Sequence, residues 1–167
     1  MGRNVYLGCD GFGESLQVAI EEHLKTLDDI QIINLGCDTY FDAAAKVSRA
    51  LQKDTSPESF GILFCGTGMG VNIIANKFDG IRAAVVENKM AAKCARAIND
   101  SNVICFGKLV TPPDQAVEIL QAYMAQDFIE QPTDNDGKAV EWWSEDIVKF
   151  LQSSKEGILR VEQSAKK

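Results

Sequence analysis

Phe60-Gly61-Ile62-Leu63-Phe64-Cys65-Gly66-Thr67-Gly68-Met69-Gly70 is an apolar run that ends in three glycines at spacing two. An unbroken apolar run of this length fits a strand covered on both faces. The glycines let the backbone bend sharply and come close to a ligand. The residues after them, Val71 to Lys77, predict a short helix. A strand, a glycine loop and a helix in succession make one half of a β-α-β unit.

The same alternation extends outward. Upstream, Val5-Tyr6-Leu7-Gly8-Cys9 and Ile30-Gln31-Ile32-Ile33-Asn34-Leu35 predict strands. Residues 14–27 and 40–53 place Leu16, Ile20, Leu24 and Ala44, Val47, Leu51 at helical spacing. Downstream, Ile81 to Val86 and Val103 to Phe106 predict strands, and 88–98 a helix. Pro112-Pro113-Asp114 opens another helix that ends near Met124. Strands alternating with helices predict an α/β parallel sheet. Ligands of such sheets sit beyond the carboxyl ends of the strands. Those ends are Cys9-Asp10, Leu35 to Cys37, Cys65 to Gly70, Val86-Glu87 and Phe106 to Lys108.

Residues 127–141 lose the pattern, with Gln131 to Gly137 a turn-rich acidic loop. Trp142-Trp143 with Ile147, Val148, Phe150 and Leu151 predict one more amphipathic helix, its tryptophans serving as a packing anchor. The tail from Ser153 reads as a further helix or a frayed end. Residues 1–126 form the core of one domain, and 127–167 form a loop and helical extension of it.

Composition excludes several classes. The chain has 167 residues and a formal net charge of −7, with no basic stripe, which disfavours nucleic acid. No apolar run approaches a membrane span, and the N-terminus carries no signal-like segment, so no membrane association is expected. The five cysteines include no CxxC pair. We read them as reduced, with Cys9, Cys94 and Cys105 in the core, and the chain as cytoplasmic. One histidine, His23, leaves no His pair for a metal site and no Ser-His-Asp triad within one chain. His23 reads as a partly exposed helix residue.

The glycine loop does not fit nucleotide motifs. The spacing is GxGxG in the third strand, and Val71-Asn72 stand where a P-loop carries its lysine. A thiol at a helix N-terminus ionises more readily and can serve as a base, with nearby amides stabilising an oxyanion. Spacing alone leaves Cys65 open between that role and a buried core position. Asp10 also has a reading as a turn-forming carboxylate at a strand end, and Asn99-Asp100 one as a turn and cap.

The segments Cys65-Gly66-Thr67-Gly68-Met69-Gly70-Val71, Ala75-Asn76-Lys77-Phe78-Asp79-Gly80-Ile81-Arg82-Ala83, Arg96-Ala97-Ile98-Asn99-Asp100-Ser101-Asn102-Val103 and Cys105-Phe106-Gly107 together resemble the ribose-5-phosphate isomerase B / galactose-6-phosphate isomerase family. The similarity runs from Asn4 to about Met124. The C-terminal Trp-rich part and Asp10-Gly11-Phe12-Gly13 are most similar to the isomerase-like domain that precedes a cupin in some plant proteins. The resemblance implies a three-layer α/β/α, Rossmann-like fold with a five-stranded parallel sheet in the order 2-1-3-5-4. It implies aldose–ketose isomerisation of a sugar phosphate through a cis-enediolate, without a cofactor, in a homodimer or larger assembly with sites at the interface.

By the same resemblance Cys65 is the proton-abstracting base and Thr67 contacts the sugar. Gly66, Gly68 and Gly70 form the anion-hole loop. Asp10 holds sugar hydroxyls beside Gly11, Tyr40 lies near the pocket, and Asn99 is donated by the neighbouring subunit. The chain departs from the family at four places. Gly11 and Ile98 stand where members carry histidines, the second of which opens the furanose ring. Phe41 replaces a proline, and Thr133 to Lys138 replace an Arg-His-rich phosphate grip. These departures leave a second possibility, a catalytically impaired sugar- or phosphometabolite-binding homologue or an inactive subunit. They also predict weak turnover of ribose 5-phosphate and a better fit for an open-chain or unphosphorylated sugar.

Overall fold

The computed structural model describes residues 2–164. Five strands, β1 (Arg3–Cys9), β2 (Ile30–Cys37), β3 (Phe60–Cys65), β4 (Ala83–Val85) and β5 (Val103–Gly107), pair in parallel in the order β2-β1-β3-β5-β4. The helices are α1 (Glu14–Leu24), α2 (Tyr40–Lys53), α3 (Met69–Ala75), α4 (Lys89–Ala97), α5 (Pro113–Met124) and α6 (Glu145–Ser164). The strand order matches the one implied by the resemblance.

Period-two alternation along the strands makes the three layers. Val5, Leu7, Phe60, Ile62, Phe64, Ile104 and Phe106 face α1, α4 and α5, where they meet Leu16, Ile20, Ala95 and Leu120. Tyr6, Leu63, Cys65, Val103 and Cys105 face the other way, against Ala44, Val47 and Leu51 of α2 and Val71 and Ala75 of α3. Phe64 and Phe106 stack at 5.9 Å between centroids, both fully buried. Burial of each such side chain contributes about 1.5–3 kcal/mol. Central β3 is buried along its whole length, whereas β2 at the edge alternates with exposed positions.

Local chemistry sets where the helices start. Thr39 caps α2 by accepting the Asp42 N–H at 3.2 Å, and Asn88 caps α4 by accepting the Ala91 N–H at 2.8 Å. Pro113 stands at the first position of α5, where its missing N–H has no intrahelical use. These caps start α2 and α4 just past the carboxyl ends of β2 and β4.

Four expectations are corrected. Cys9 is not a free core thiol: it is disulfide-bonded to Cys37, 28 residues away, with Cα atoms 4.6 Å apart. Parallel pairing of β1 with β2 sets the two side by side, a register no spacing rule reveals. The bond also removes the cysteine argument for a reducing compartment. Cys94 is half-buried rather than in the core. The fourth strand shortens to Ala83–Val85, since the Arg82 N–H donates to the Asn102 side-chain oxygen at 2.8 Å rather than to a neighbouring strand. Trp142 and Trp143 lie in the turn before α6 rather than on the helix and contact each other edge-on, with Trp142 exposed and Trp143 half-buried beside Val148 and Gln152. The tail is a continuous helix to Ser164, and Ala165 to Lys167 fall outside the described residues.

Candidate active site

Cys65 is the last residue of β3, and its side chain is 4% exposed. The chain reverses over Gly66-Thr67-Gly68 and brings the Gly68 N–H to 3.1 Å from the Cys65 sulfur, which accepts it. Gly68 makes that reversal at φ +77°, where a Cβ would also press on the Phe106 carbonyl carbon at 3.1 Å. Gly107 is required for a different reason: a Cβ there would collide with the Thr67 backbone. The loop is fastened to β5 by Lys108 N–H on the Cys65 carbonyl at 3.0 Å and Leu109 N–H on the Gly66 carbonyl at 2.9 Å. Thr67 is exposed, and its hydroxyl accepts the Met69 N–H at 3.3 Å.

Asp10 lies one strand over, its N–H donating to the Phe64 carbonyl at 3.0 Å. Its Oδ1 accepts the N–H groups of Phe12 and Gly13, each at 2.9 Å, which starts α1 and leaves Oδ2 outside the turn. The turn-forming use of Asp10 is therefore present, and one carboxylate oxygen remains for another partner. Gly11 is exposed, with open space around it. Tyr40 opens α2 and lays its ring against Gly70, where a Cβ would come within 3.0 Å of the ring. An open depression of about 520 Å³ runs between these loops, lined by Asp10, Gly11, Phe12, Tyr40 and Phe41.

Cys65, Gly66, Thr67, Gly68, Gly70, Asp10, Gly11 and Tyr40 thus gather at the carboxyl ends of β1 to β3. Asn99 does not. It follows α4 in an exposed turn before β5, at the amino end of the sheet, in a cleft with Ile98, Arg82 and Phe128. A strand of this length separates the two ends by about 20 Å. Residues 133–139 close on themselves: Thr133 bridges to Ala139, Asp134 Oδ1 accepts the Asp136 and Lys138 N–H groups, and Lys93 Nζ grips the Thr133 carbonyl at 2.8 Å.

The other thiols are poorly suited to act as bases. Burial pushes the Cys105 thiol well up, and neighbouring Cys65 adds to the rise. Burial also raises Cys94. His23 is half-buried on α1, facing Gln121 at 3.4 Å, away from the depression. Sequence reasoning missed an apolar rim. Phe12, Phe41, Met69 and Leu109 are between 46% and 72% exposed around the Cys65 loop, and a Cβ added at Gly66 would come within 4 Å of both Phe12 and Leu109. Their signal was available, since each is a large apolar residue at a loop or a helix start.

Among the described residues no group of three or more His, Cys, Asp or Glu could hold a metal, and no helix is long and apolar enough to cross a membrane. Comparison with known proteins gives concordant results. The chain is 37% identical over 150 residues to the DNA damage-repair/toleration protein DRT102 of Arabidopsis thaliana, covering 90% of this chain and 47% of that one, so it spans about half of that relative's length. It is 32% identical to the 4-deoxy-4-sulfo-D-erythrose isomerase of Clostridium sp. (strain MSTE9), with 96% of each chain covered. The solved ribose 5-phosphate isomerase B of Anaplasma phagocytophilum superposes with a TM-score of 0.71 at 36% identity, over 77% of this chain and 89% of that one. The sequence model described as Ribose/Galactose Isomerase matches residues 5–140, the stretch that holds the strand order, the glycine loop and every candidate residue above, and the chain belongs to that family.

Proposed function

We propose that the chain is an aldose–ketose isomerase of the ribose-5-phosphate isomerase B type, with Cys65 as the base. The observation that carries this reading is the Gly68 N–H aimed at a free cysteine sulfur at the carboxyl end of the central strand. As the thiolate, Cys65 takes the proton from C2 of an open-chain aldose. The electrons form a cis-enediolate, held by Thr67 and by amides of the loop from Gly66 to Gly70. A proton passes from O2 to O1, and the thiol returns its proton to C1, giving the ketose. Asp10 Oδ2 and Tyr40 hold the remaining hydroxyls. Asn99 completes the site from a neighbouring subunit, since within its own chain it lies at the end of the sheet opposite Cys65. The apolar rim of Phe12, Met69 and Leu109 supports such a subunit contact.

The substrate we favour is a four-carbon sugar with a terminal anion. Neither Gly11 nor Ile98 can exchange a proton with a ring oxygen. A tetrose blocked at C4 by phosphate or replaced there by sulfonate has no free hydroxyl with which to close a five-membered ring, so no ring opening is needed. The full-length similarity to a 4-deoxy-4-sulfo-D-erythrose isomerase agrees with that chemistry. Lys108 stands beside the Cys65 loop, exposed and with no ion-pair partner among the described residues, and it supplies a cation for the terminal anion.

The test is solvent-deuterium exchange at C2 of D-erythrose 4-phosphate, followed by NMR. Cys65→Ala is expected to slow exchange by at least about a hundredfold, the scale of a lost general base, and Cys94→Ala to leave it unchanged. Equal effects from both variants would return Cys65 to the core.

A further inference from the structure

Asp100 follows Asn99 directly, and it is one of two non-glycine residues with a left-handed backbone among those described, at φ +48°. The second is Ile129, at φ +59°. Ile129 is tied to the end of α4, the helix before Asp100, its N–H donating to the Ala97 carbonyl at 2.9 Å. Left-handed backbone is costly for residues with a Cβ and persists where surrounding contacts enforce it.

The contacts at Asp100 are dense. Its carboxylate meets Lys155 Nζ at 2.9 Å, Arg82 Nη2 at 3.2 Å and Arg96 Nη1 at 3.7 Å. Its carbonyl accepts Arg82 Nε at 2.7 Å, and its N–H donates to the Arg96 carbonyl at 3.1 Å. Arg82 stands immediately before β4 and Arg96 on α4, so they tie the turn to its own core. Lys155 comes from α6 and also lies over the Phe128 ring at 4.4 Å.

Helix α6 has few other holds. Leu151 is its one buried residue among those described, and Glu162 accepts the Gly80 N–H at 3.3 Å. Between α6 and the turn lies a cleft of about 330 Å³, lined in part by Ile98, Asn99, Phe150 and Ile158. Asn99 therefore has open space on the helix side, and the Lys155–Asp100 pair fixes the distance across it.

We propose that Lys155 is a positioning residue for Asn99: by gripping Asp100 from α6, it sets the turn from which Asn99 reaches the neighbouring subunit's site. This rests on the assignment of Asn99 above. The pair is partly exposed, and such pairs contribute little to global stability, so its loss moves the turn without unfolding the domain. An amide that holds substrate and enediolate alike acts on KM more than on kcat.

The experiment is a double-mutant cycle on the dimer, with D-erythrose 4-phosphate and ribose 5-phosphate each as substrate. Lys155→Met is expected to raise KM about fivefold with kcat within about twofold, and Lys155→Arg to restore KM. Asn99→Ala combined with Lys155→Met is expected to match Asn99→Ala alone, because Lys155 acts through Asn99. An unchanged KM in Lys155→Met, or additive effects in the double variant, would overturn the proposal. If Asn99→Ala itself leaves KM and kcat unchanged while Cys65→Ala abolishes turnover, the assignment of Asn99 fails and takes this proposal with it, while the isomerase reading stands.

Discussion

Cys9 and Cys37 join the carboxyl ends of β1 and β2, one residue before Asp10 and three before Tyr40. The bridge thus spans the two loops that enclose the depression beside the glycine loop. It lies on the sheet face opposite Cys65, since Cys9 packs with Phe64 and Cys65 with Leu63 and Cys105. Closing a loop of this length stabilises the fold by about 3–4 kcal/mol in the chain-entropy account. Dithiothreitol, or Cys37→Ser, is expected to lower the urea midpoint accordingly. An unchanged midpoint on reduction would mean that the bridge does not constrain the chain in solution.

Substrate preference follows from the residues at positions 11 and 98. With Gly11 and Ile98 in place of proton-exchanging groups, a substrate that must open a ring is at a disadvantage. D-erythrose 4-phosphate is expected to exceed ribose 5-phosphate by at least about tenfold in kcat/KM, read by ketose formation. Ile98→His is expected to narrow that gap by raising ribose 5-phosphate turnover. Faster turnover of ribose 5-phosphate by the unaltered chain would refute the tetrose preference, and a group such as a water held by Asp10 would then have to open the ring.

Asp54 predicts an acid sensitivity. Hydrogen bonds from Asn4, the Ser56 N–H and Tyr6 hold its carboxyl far below the usual carboxylate range. A depressed folded-state pKa adds stability above the unfolded value, near 4 for a free Asp, and the contribution fades as pH falls below it. Denaturation midpoints are therefore expected to drop between about pH 4 and pH 2, and Asp54→Asn to flatten that part of the profile. An identical slope in the variant would assign the acid loss to other carboxylates.

Much of this fold is visible in the sequence because each strand is an apolar run bounded by turn residues, as Phe60 to Cys65 illustrates. Helix α2 is legible to the residue, Tyr40 to Lys53, since Thr39 caps it and Asp54 leaves the helical region. The Cys9–Cys37 bond is not legible, because it depends on which strands lie side by side rather than on spacing. The Trp142-Trp143 turn is missed because apolar periodicity cannot distinguish a residue on a helix from one just before it. Within the site, Gly66 to Gly70 announce a close backbone approach. The aim of the Gly68 N–H at Cys65 depends on a single left-handed residue, which the sequence permits without dictating.

The positions of Cys65 and Asn99, at opposite ends of the sheet, make subunit sharing testable by complementation. In the proposed two-fold dimer each site would take its cysteine from one chain and its asparagine from the other. Cys65→Ala and Asn99→Ala are each expected to be impaired. A mixed dimer of the two contains one site with both defects and one site with none. Assayed at substrate far below KM, equal mixing after subunit exchange is therefore expected to add about a quarter of the unaltered activity to the residual activity of the parent variants, because half of the dimers are mixed and each carries one intact site of two. The dimer should persist at micromolar concentration and bury more than about 1,200 Å². Phe12→Asp and Leu109→Asp place charge in the apolar rim, and are expected to shift the chain toward monomer in sedimentation and to lower activity in parallel. No recovery on mixing, under conditions where sedimentation reports exchanged dimers, would place Asn99 outside the site. A monomer at those concentrations would remove the shared site altogether, leaving Cys65, Thr67 and Asp10 to act within one chain.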